Sequence, residues 1–285
     1  MLLSAIERFA STYDEPALMD WLLRHWPKTV LISAIYIVLV FAGKRWMEKR
    51  EKYNLKWLLT LWSASLAIFS IIGTWFTFER TYNDLQEHGF KYTVCDNTFL
   101  HTGQGFWLYV FSLSKIVELG DTFFIVARKQ KLIFLHWFHH VATLVYTWYA
   151  TGNLVAAGRY FSSVNFAVHS LMYSYFAIRA SGLIRLPRQV NITITSLQLI
   201  QMFFGIYVNV YAYIEISNGR QCDNTWPSLY ASFAMYASYV LLFANFFYQT
   251  YLVKSKPGPG KPHTNGVVKN GAVAQNGYRS GKKEI

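Results

Sequence analysis

Apolar residues in this chain come in blocks about as long as a bilayer is thick, and that spacing restricts the fold more than anything else in its 285 residues. The blocks cover 28–42, 57–78, 106–126, 133–149, 160–178, 191–214 and 228–253. A helix needs about 20 apolar residues to cross hydrocarbon; the first and fourth blocks fall short of that and the other five reach it. Short alternating patterns, the mark of strands, do not carry the apolar residues. The expected fold is all-α: a polytopic membrane protein with seven transmembrane helices over 28–253, a non-cytosolic segment 1–27 before them and a tail 254–285 after them. The opening segment holds Glu7, Arg8, Asp14, Glu15 and Asp20 without a compact apolar run, so it reads as an amphipathic lead and not as a cleaved signal.

A net charge of +12 raises the question of nucleic acid, and the placement of the charge answers against it. Seven crossings put 19 Lys and Arg on one side and seven on the other, with Lys115 inside a span. The bias toward cytosolic positive charge then sets the N-terminus in the lumen and the tail in the cytosol. Both cysteines, Cys95 and Cys222, fall on the non-cytosolic side, where an oxidising compartment lets a disulfide tie two loops together. The tail has Pro257, Pro259 and scattered Gly and Asn with no apolar periodicity, so it is expected to be disordered. It ends Lys282-Lys283-Glu284-Ile285, a dilysine pattern of the kind read as an address to the endoplasmic reticulum. Asn191-Ile192-Thr193 matches a glycosylation acceptor, yet this topology places it in the cytosol, where it stays unmodified.

Polar residues inside the apolar blocks need partners, because lipid supplies none. Lys115, Glu118 and Asp121 recur at intervals of three, which would bring them to one helical face, with Thr122 next to them. His136, His139 and His140 share one turn of the fourth block. Asn165, His169 and Tyr173 recur at four in the fifth, and Thr195, Gln198 and Gln201 at three in the sixth. Counted from the cytosolic helix ends, Asp121, His139 and Gln198 lie within about 12 Å, with His169 slightly deeper. One chamber open toward the cytosol would hold all of them. Two chemistries suit it. Three or four histidines can hold a zinc ion, whereas a di-iron site wants roughly twice as many ligands, and His25, His88, His101 and His263 lie outside the spans. Without metal, an imidazole acts as base or attacks a thioester, with Glu118 or Asp121 orienting the ring and Asn165 and the glutamines donating to developing negative charge.

At these residues the chain resembles the very-long-chain fatty acid elongases of the endoplasmic reticulum. The resemblance rests on His136-Trp137-Phe138-His139-His140, on the run from Lys115 through Glu118 to Asp121-Thr122, on Asn165 with His169, Met172 and Tyr173, and on Thr195 with Gln198 and Gln201, over about residues 20–253. It implies a seven-helix fold with six helices around a substrate tunnel. It further implies condensation of malonyl-CoA with a long-chain acyl-CoA to a 3-oxoacyl-CoA two carbons longer, with release of CO2 and CoA. His139 would carry the acyl group and His169 would assist; His136, His140, Asn165, Glu118 and Asp121 complete the expected catalytic set. Lys115, Tyr173, Gln198 and Gln201 would contact substrate, and Lys129, Lys131, Arg179, Arg185 and Arg188 would receive CoA phosphates at the cytosolic mouth. No bound cofactor or metal is implied. The expected partners are the two CoA thioesters, membrane lipid and the other enzymes of the elongation cycle, with room for a homodimer and none for nucleic acid. The wording of the box is similar to the branch acting on saturated and monounsaturated chains of about sixteen carbons; Phe138 and Phe176 depart from it where tyrosine is common. Two rivals stay open at this point: a lipid transporter or receptor, and a zinc-dependent membrane hydrolase.

Overall fold

The computed structural model describes residues 14–253 together with Ile6, residues 8–10 and Thr12; the dilysine tail lies outside them. Helices α1 (Glu15–Glu48) and α2 (Lys56–Cys95) come first, then a 3₁₀ turn (Thr98–His101), α3 (Gly103–Glu118) and α4 (Asp121–Ala127). There follow α5 (Phe134–Gly152), α6 (Gly158–Ser181), α7 (Arg188–Ser217), α8 (Trp226–Phe247) and a π-helical turn (Tyr248–Leu252). Four of these stretches, Pro16–Glu48, Lys56–Cys95, Arg188–Ser217 and Trp226–Leu252, are long and apolar enough to cross a membrane. The chain is an all-α, polytopic membrane protein.

Its surface agrees with lipid. Along α2 the exposed side chains are Trp57, Leu58, Leu61, Ile68, Ile71, Trp75 and Phe78, while Ser63, Ala67, Ser70, Gly73 and Thr77 are buried. Large apolar groups outside and small ones inside reverse the pattern of a soluble helix and let neighbouring backbones approach closely. α2 packs along α6, α1 along α5, and α7 along α8.

Three expected spans differ in outline, the second because α2 runs on past residue 78 to Cys95. The first block is the middle of a longer helix: α1 starts at Glu15, where the Asp14 carboxylate accepts from the Ala17 amide at 3.2 Å, and it continues through Pro27. The third block is not one helix. The amides of Leu119, Gly120, Thr122 and Phe123 each bond a carbonyl three residues back, so a tight 3₁₀-like turn separates α3 from α4. Trp62 presses on that turn: a Cβ on Gly120 would lie 2.7 Å from its ring. Hence Asp121 opens a new helix, joined to the one that carries Lys115 and Glu118 by a turn that keeps residues three apart on the same side.

Hydrogen bonds knit opposite ends of the bundle. At one end Cys95 and Cys222 form a disulfide. There the Asp223 amide donates to the Cys95 carbonyl at 2.7 Å and the Ala156 amide to the Asp223 carbonyl at 2.8 Å, so three loops meet. Gly89, with φ +80°, bends the last turns of α2 into this junction, a conformation glycine adopts without strain. At the other end the Tyr53 amide donates to the Ala127 carbonyl at 3.0 Å, and Lys129 Nζ donates to the carbonyls of Glu48 and Arg50 at 3.2 and 2.7 Å. The chain therefore changes ends with every helix, α3 and α4 together counting as one passage. Aromatic rings lock α3 in place: Trp107 stacks on Phe76 at 5.4 Å and Phe111 meets Phe166 edge-on at 5.0 Å. Such pairs add about 0.5–1.5 kcal/mol each beyond area burial, and they turn Lys115 and Glu118 toward α6.

Candidate active site

The polar residues of α3, α5 and α6 gather at one level. Lys115 Nζ donates to Glu118 Oε1 at 2.7 Å and to Asn165 Oδ1 at 3.1 Å, and the Ser114 hydroxyl donates to the same Glu118 oxygen at 3.1 Å. Glu118 Oε2 lies 3.8 Å from His169 Nδ1. Lys115, Glu118, Asn165 and His169 are all buried, and an ion pair with this many supporting hydrogen bonds is the form in which charge persists below the headgroups. Asn165 is oriented by the contact. An ammonium only donates, so it must face the amide oxygen, and the Nδ2 donors turn away from it.

Asp121 belongs to a second cluster. Trp62 Nε1 donates to one of its oxygens at 2.6 Å and the Tyr173 hydroxyl to the other at 2.7 Å. The neighbouring Thr122 Oγ1 lies 2.9 Å from His136 Nε2 and 2.6 Å from the Tyr36 hydroxyl.

The three histidines of α5 take separate surroundings. The His136 and His140 rings meet at 4.5 Å. His139 packs against Tyr239 at 4.9 Å, and that tyrosine donates to the His139 carbonyl at 3.2 Å while sharing a 2.7 Å hydrogen bond with Thr143. A narrow cavity begins at His139, with Asn165 and Gln201 in its wall. It follows α5 through Thr143 and Thr147 to Thr151, which lies about 18 Å further along the helix. Gln198 bonds Met172 Sδ at 3.2 Å and Thr195 shares a hydrogen bond with the Tyr251 hydroxyl at 3.1 Å. Among the described residues no group of three or more His, Cys, Asp and Glu is arranged to hold a metal ion.

A site of this composition has relatives. The model of the GNS1/SUR4 family, abbreviated ELO, matches residues 21–259. Very long chain fatty acid elongase 6 of Rattus norvegicus is 42% identical over 251 residues, which is 87% of this chain and 93% of that protein. The putative fatty acid elongase 3 of Caenorhabditis elegans is 42% identical over 249 residues, 87% of this chain and 78% of the other. Very long chain fatty acid elongase 3 of Homo sapiens is 42% identical over 236 residues, 81% and 87%.

The chain belongs to the ELO family. It is a condensing enzyme of fatty acid elongation.

The basic residues of this elongase lie in or beside the connections from α4 to α5 and from α6 to α7. Lys131 and Arg185 are exposed at the same end of the bundle. Lys129 spends its ammonium on the α1 C-terminal carbonyls, Arg179 donates to the Tyr175 hydroxyl at 2.6 Å, and Arg188 reaches the Tyr251 carbonyl at 3.4 Å. Four residues that support the site carried no signal in the sequence: Trp62 and Tyr239, which touch Asp121 and His139, and Tyr36 and Thr143, which bond Thr122 and Tyr239. With 20 tyrosines and 10 tryptophans in the chain, single rings do not stand out.

Proposed function

We propose that this elongase joins a saturated or monounsaturated acyl-CoA of about sixteen carbons to malonyl-CoA through an acyl-imidazole on His139. One observation carries the reading: His139 and Asn165 face the same cavity, and Asn165 is held with its oxygen on Lys115. A His139 ring nitrogen attacks the thioester carbonyl, the C–S bond breaks, and CoA leaves as the thiol after taking up a proton. Asn165 Nδ2 is the donor available to the oxyanion that forms. Malonyl-CoA then loses CO2; the carbanion so formed attacks the acyl carbon, and the imidazole departs from a 3-oxoacyl-CoA two carbons longer. Histidine suits this step because an acyl-imidazole is reactive enough to be discharged. His169, steadied by Glu118, and the remaining box histidines position the substrates, with Tyr173, Gln198 and Gln201 contributing to the wall on the same side.

The acyl chain would lie in the tunnel beside α5, with the CoA moieties at the end that bears Lys129, Lys131, Arg179, Arg185 and Arg188. Seven crossings, counting α3 and α4 as one, set the disulfide in the lumen of the endoplasmic reticulum and the histidines toward the cytosol. Charge bias and the alternation of helix ends both support that orientation. Association with the other enzymes of the cycle and a homodimer stay part of the proposal. The test is a trapping experiment: purified protein given acyl-CoA without malonyl-CoA gains the acyl mass on a peptide containing His139, and His139→Ala gains none. Full turnover with no adduct at any time point refutes the intermediate.

A further inference from the structure

α1 packs on α5 and α4, and it sends a hydroxyl to the threonine that bonds His136. Val30, Leu31, Ile35, Val38 and Leu39 are exposed on its outer side, whereas Thr29, Ser33, Tyr36 and Val40 form the buried stripe. Within that stripe Thr29 bonds its own helix, to the Trp26 carbonyl at 2.5 Å. Tyr36 instead bonds across to α4, 2.6 Å from Thr122 Oγ1, which is itself 2.9 Å from His136 Nε2. Thr122 cannot drift, because Asp121 beside it is held by Trp62 and Tyr173 at 2.6 and 2.7 Å.

A phenol is a far stronger acid than an aliphatic alcohol, so in a chain of two hydroxyls the favoured order has tyrosine donating to threonine. Thr122 then has its own proton for the lone pair of His136 Nε2. An imidazole that accepts at Nε2 carries its proton on Nδ1, and the hydrogen bond selects that tautomer. We propose that Tyr36, acting through Thr122, is a positioning residue of the condensation: it locks His136 as an acceptor at Nε2 and thereby removes it as base or nucleophile. The covalent and proton-transfer work then falls to the other histidines. The inference rests on the condensing activity but not on which imidazole carries the acyl group.

The test uses the full chain with Tyr36→Phe, Thr122→Val, Thr122→Ser and the double variant Tyr36→Phe/Thr122→Val. Tyr36→Phe and Thr122→Val are expected to lower kcat by roughly 10- to 100-fold, the usual cost of losing a group that orients an imidazole. KM for both thioesters should stay within about twofold, because binding is not what the relay supplies. Thr122→Ser should recover most of the kcat lost in Thr122→Val. The double variant should be no slower than Thr122→Val alone, since two links in series fail once. An unchanged kcat in Tyr36→Phe overturns the proposal, and so does a raised KM at constant kcat. A Thr122→Ser protein as slow as Thr122→Val, with the same melting temperature as the parent, overturns it as well. Acyl loading of His139, followed by mass in the same samples, reports separately on the intermediate.

Discussion

The Glu118 carboxylate stands 3.8 Å from Nδ1 of His169, and the oxygen it does not turn to the imidazole binds the Lys115 ammonium at 2.7 Å. Removing the carboxylate charge would leave a lysine that is only 3% exposed with neutral partners alone, amide oxygens and the Phe111 ring at 4.0 Å. Breaking a buried pair from one side costs about 3–5 kcal/mol. Glu118→Gln is therefore expected to lower the melting temperature of the purified protein sharply. Glu118→Gln combined with Lys115→Met should regain much of that stability and none of the turnover, since the orientation of Asn165 is lost with the ammonium. Thermal unfolding in detergent and initial rates on the same samples separate the two effects.

Tyr239 supports His139 by its ring and by its hydroxyl. Tyr239→Phe keeps the ring contact at 4.9 Å and removes the bonds to Thr143 and to the His139 carbonyl. A hydrogen bond of this kind contributes about 0.5–1.5 kcal/mol. If part of that is spent in holding His139 at its working position, acyl loading should slow by about two- to tenfold. The measurement is the single-turnover rate of adduct formation; a wild-type rate would mean that the ring alone holds the histidine.

The disulfide closes a stretch of 127 residues between α2 and the loop before α8. Cys95→Ser or Cys222→Ser should cost about 2–4 kcal/mol, less than an unrestrained chain would lose, because helices already inserted in a bilayer have little freedom left. A lowered melting temperature is expected with near-normal specific activity in the folded fraction, as the bond lies at the end of the bundle remote from the histidine box. Treatment of the parent protein with reductant should reproduce the shift.

Much of this was legible in the sequence because hydropathy is read by simple addition along the chain. The helix order, the common side of Cys95 and Cys222, and the meeting of Lys115, Glu118, Asn165 and His169 all follow from block lengths and intervals of three and four. The break at Leu119-Gly120 was hidden. Lys115, Glu118 and Asp121 fit an unbroken helix equally well, and the indole that packs on the turn at Gly120 comes from Trp62, 58 positions earlier in the chain. Tyr36 and Tyr239 escaped notice for a related reason: their hydroxyls matter through partners on other helices, and no local pattern marks them among so many aromatic residues. Charge alone marks the basic residues, and charge does not reveal that Lys129 binds the carbonyls of Glu48 and Arg50.

Thr147 lines the cavity eight residues beyond His139, about 12 Å along α5. Its hydroxyl bonds only within its own helix, to the Leu144 carbonyl at 3.3 Å, so a larger apolar side chain there breaks no hydrogen bond between helices. Carbon–carbon bonds of about 1.5 Å advance an extended acyl chain by roughly 1.3 Å per carbon. The stretch from His139 to Thr151 thus takes about fourteen carbons, and the stretch to Thr147 about nine. Thr147→Phe should block the far part of the channel. Each methylene refused entry forfeits about 0.8 kcal/mol, close to fourfold in kcat/KM. Across saturated acyl-CoAs in two-carbon steps, the preferred primer should become shorter by about four to six carbons, with turnover on the shortest primers retained. An unaltered preference would place the acyl chain outside this cavity and would remove the physical basis for chain-length selection beside α5.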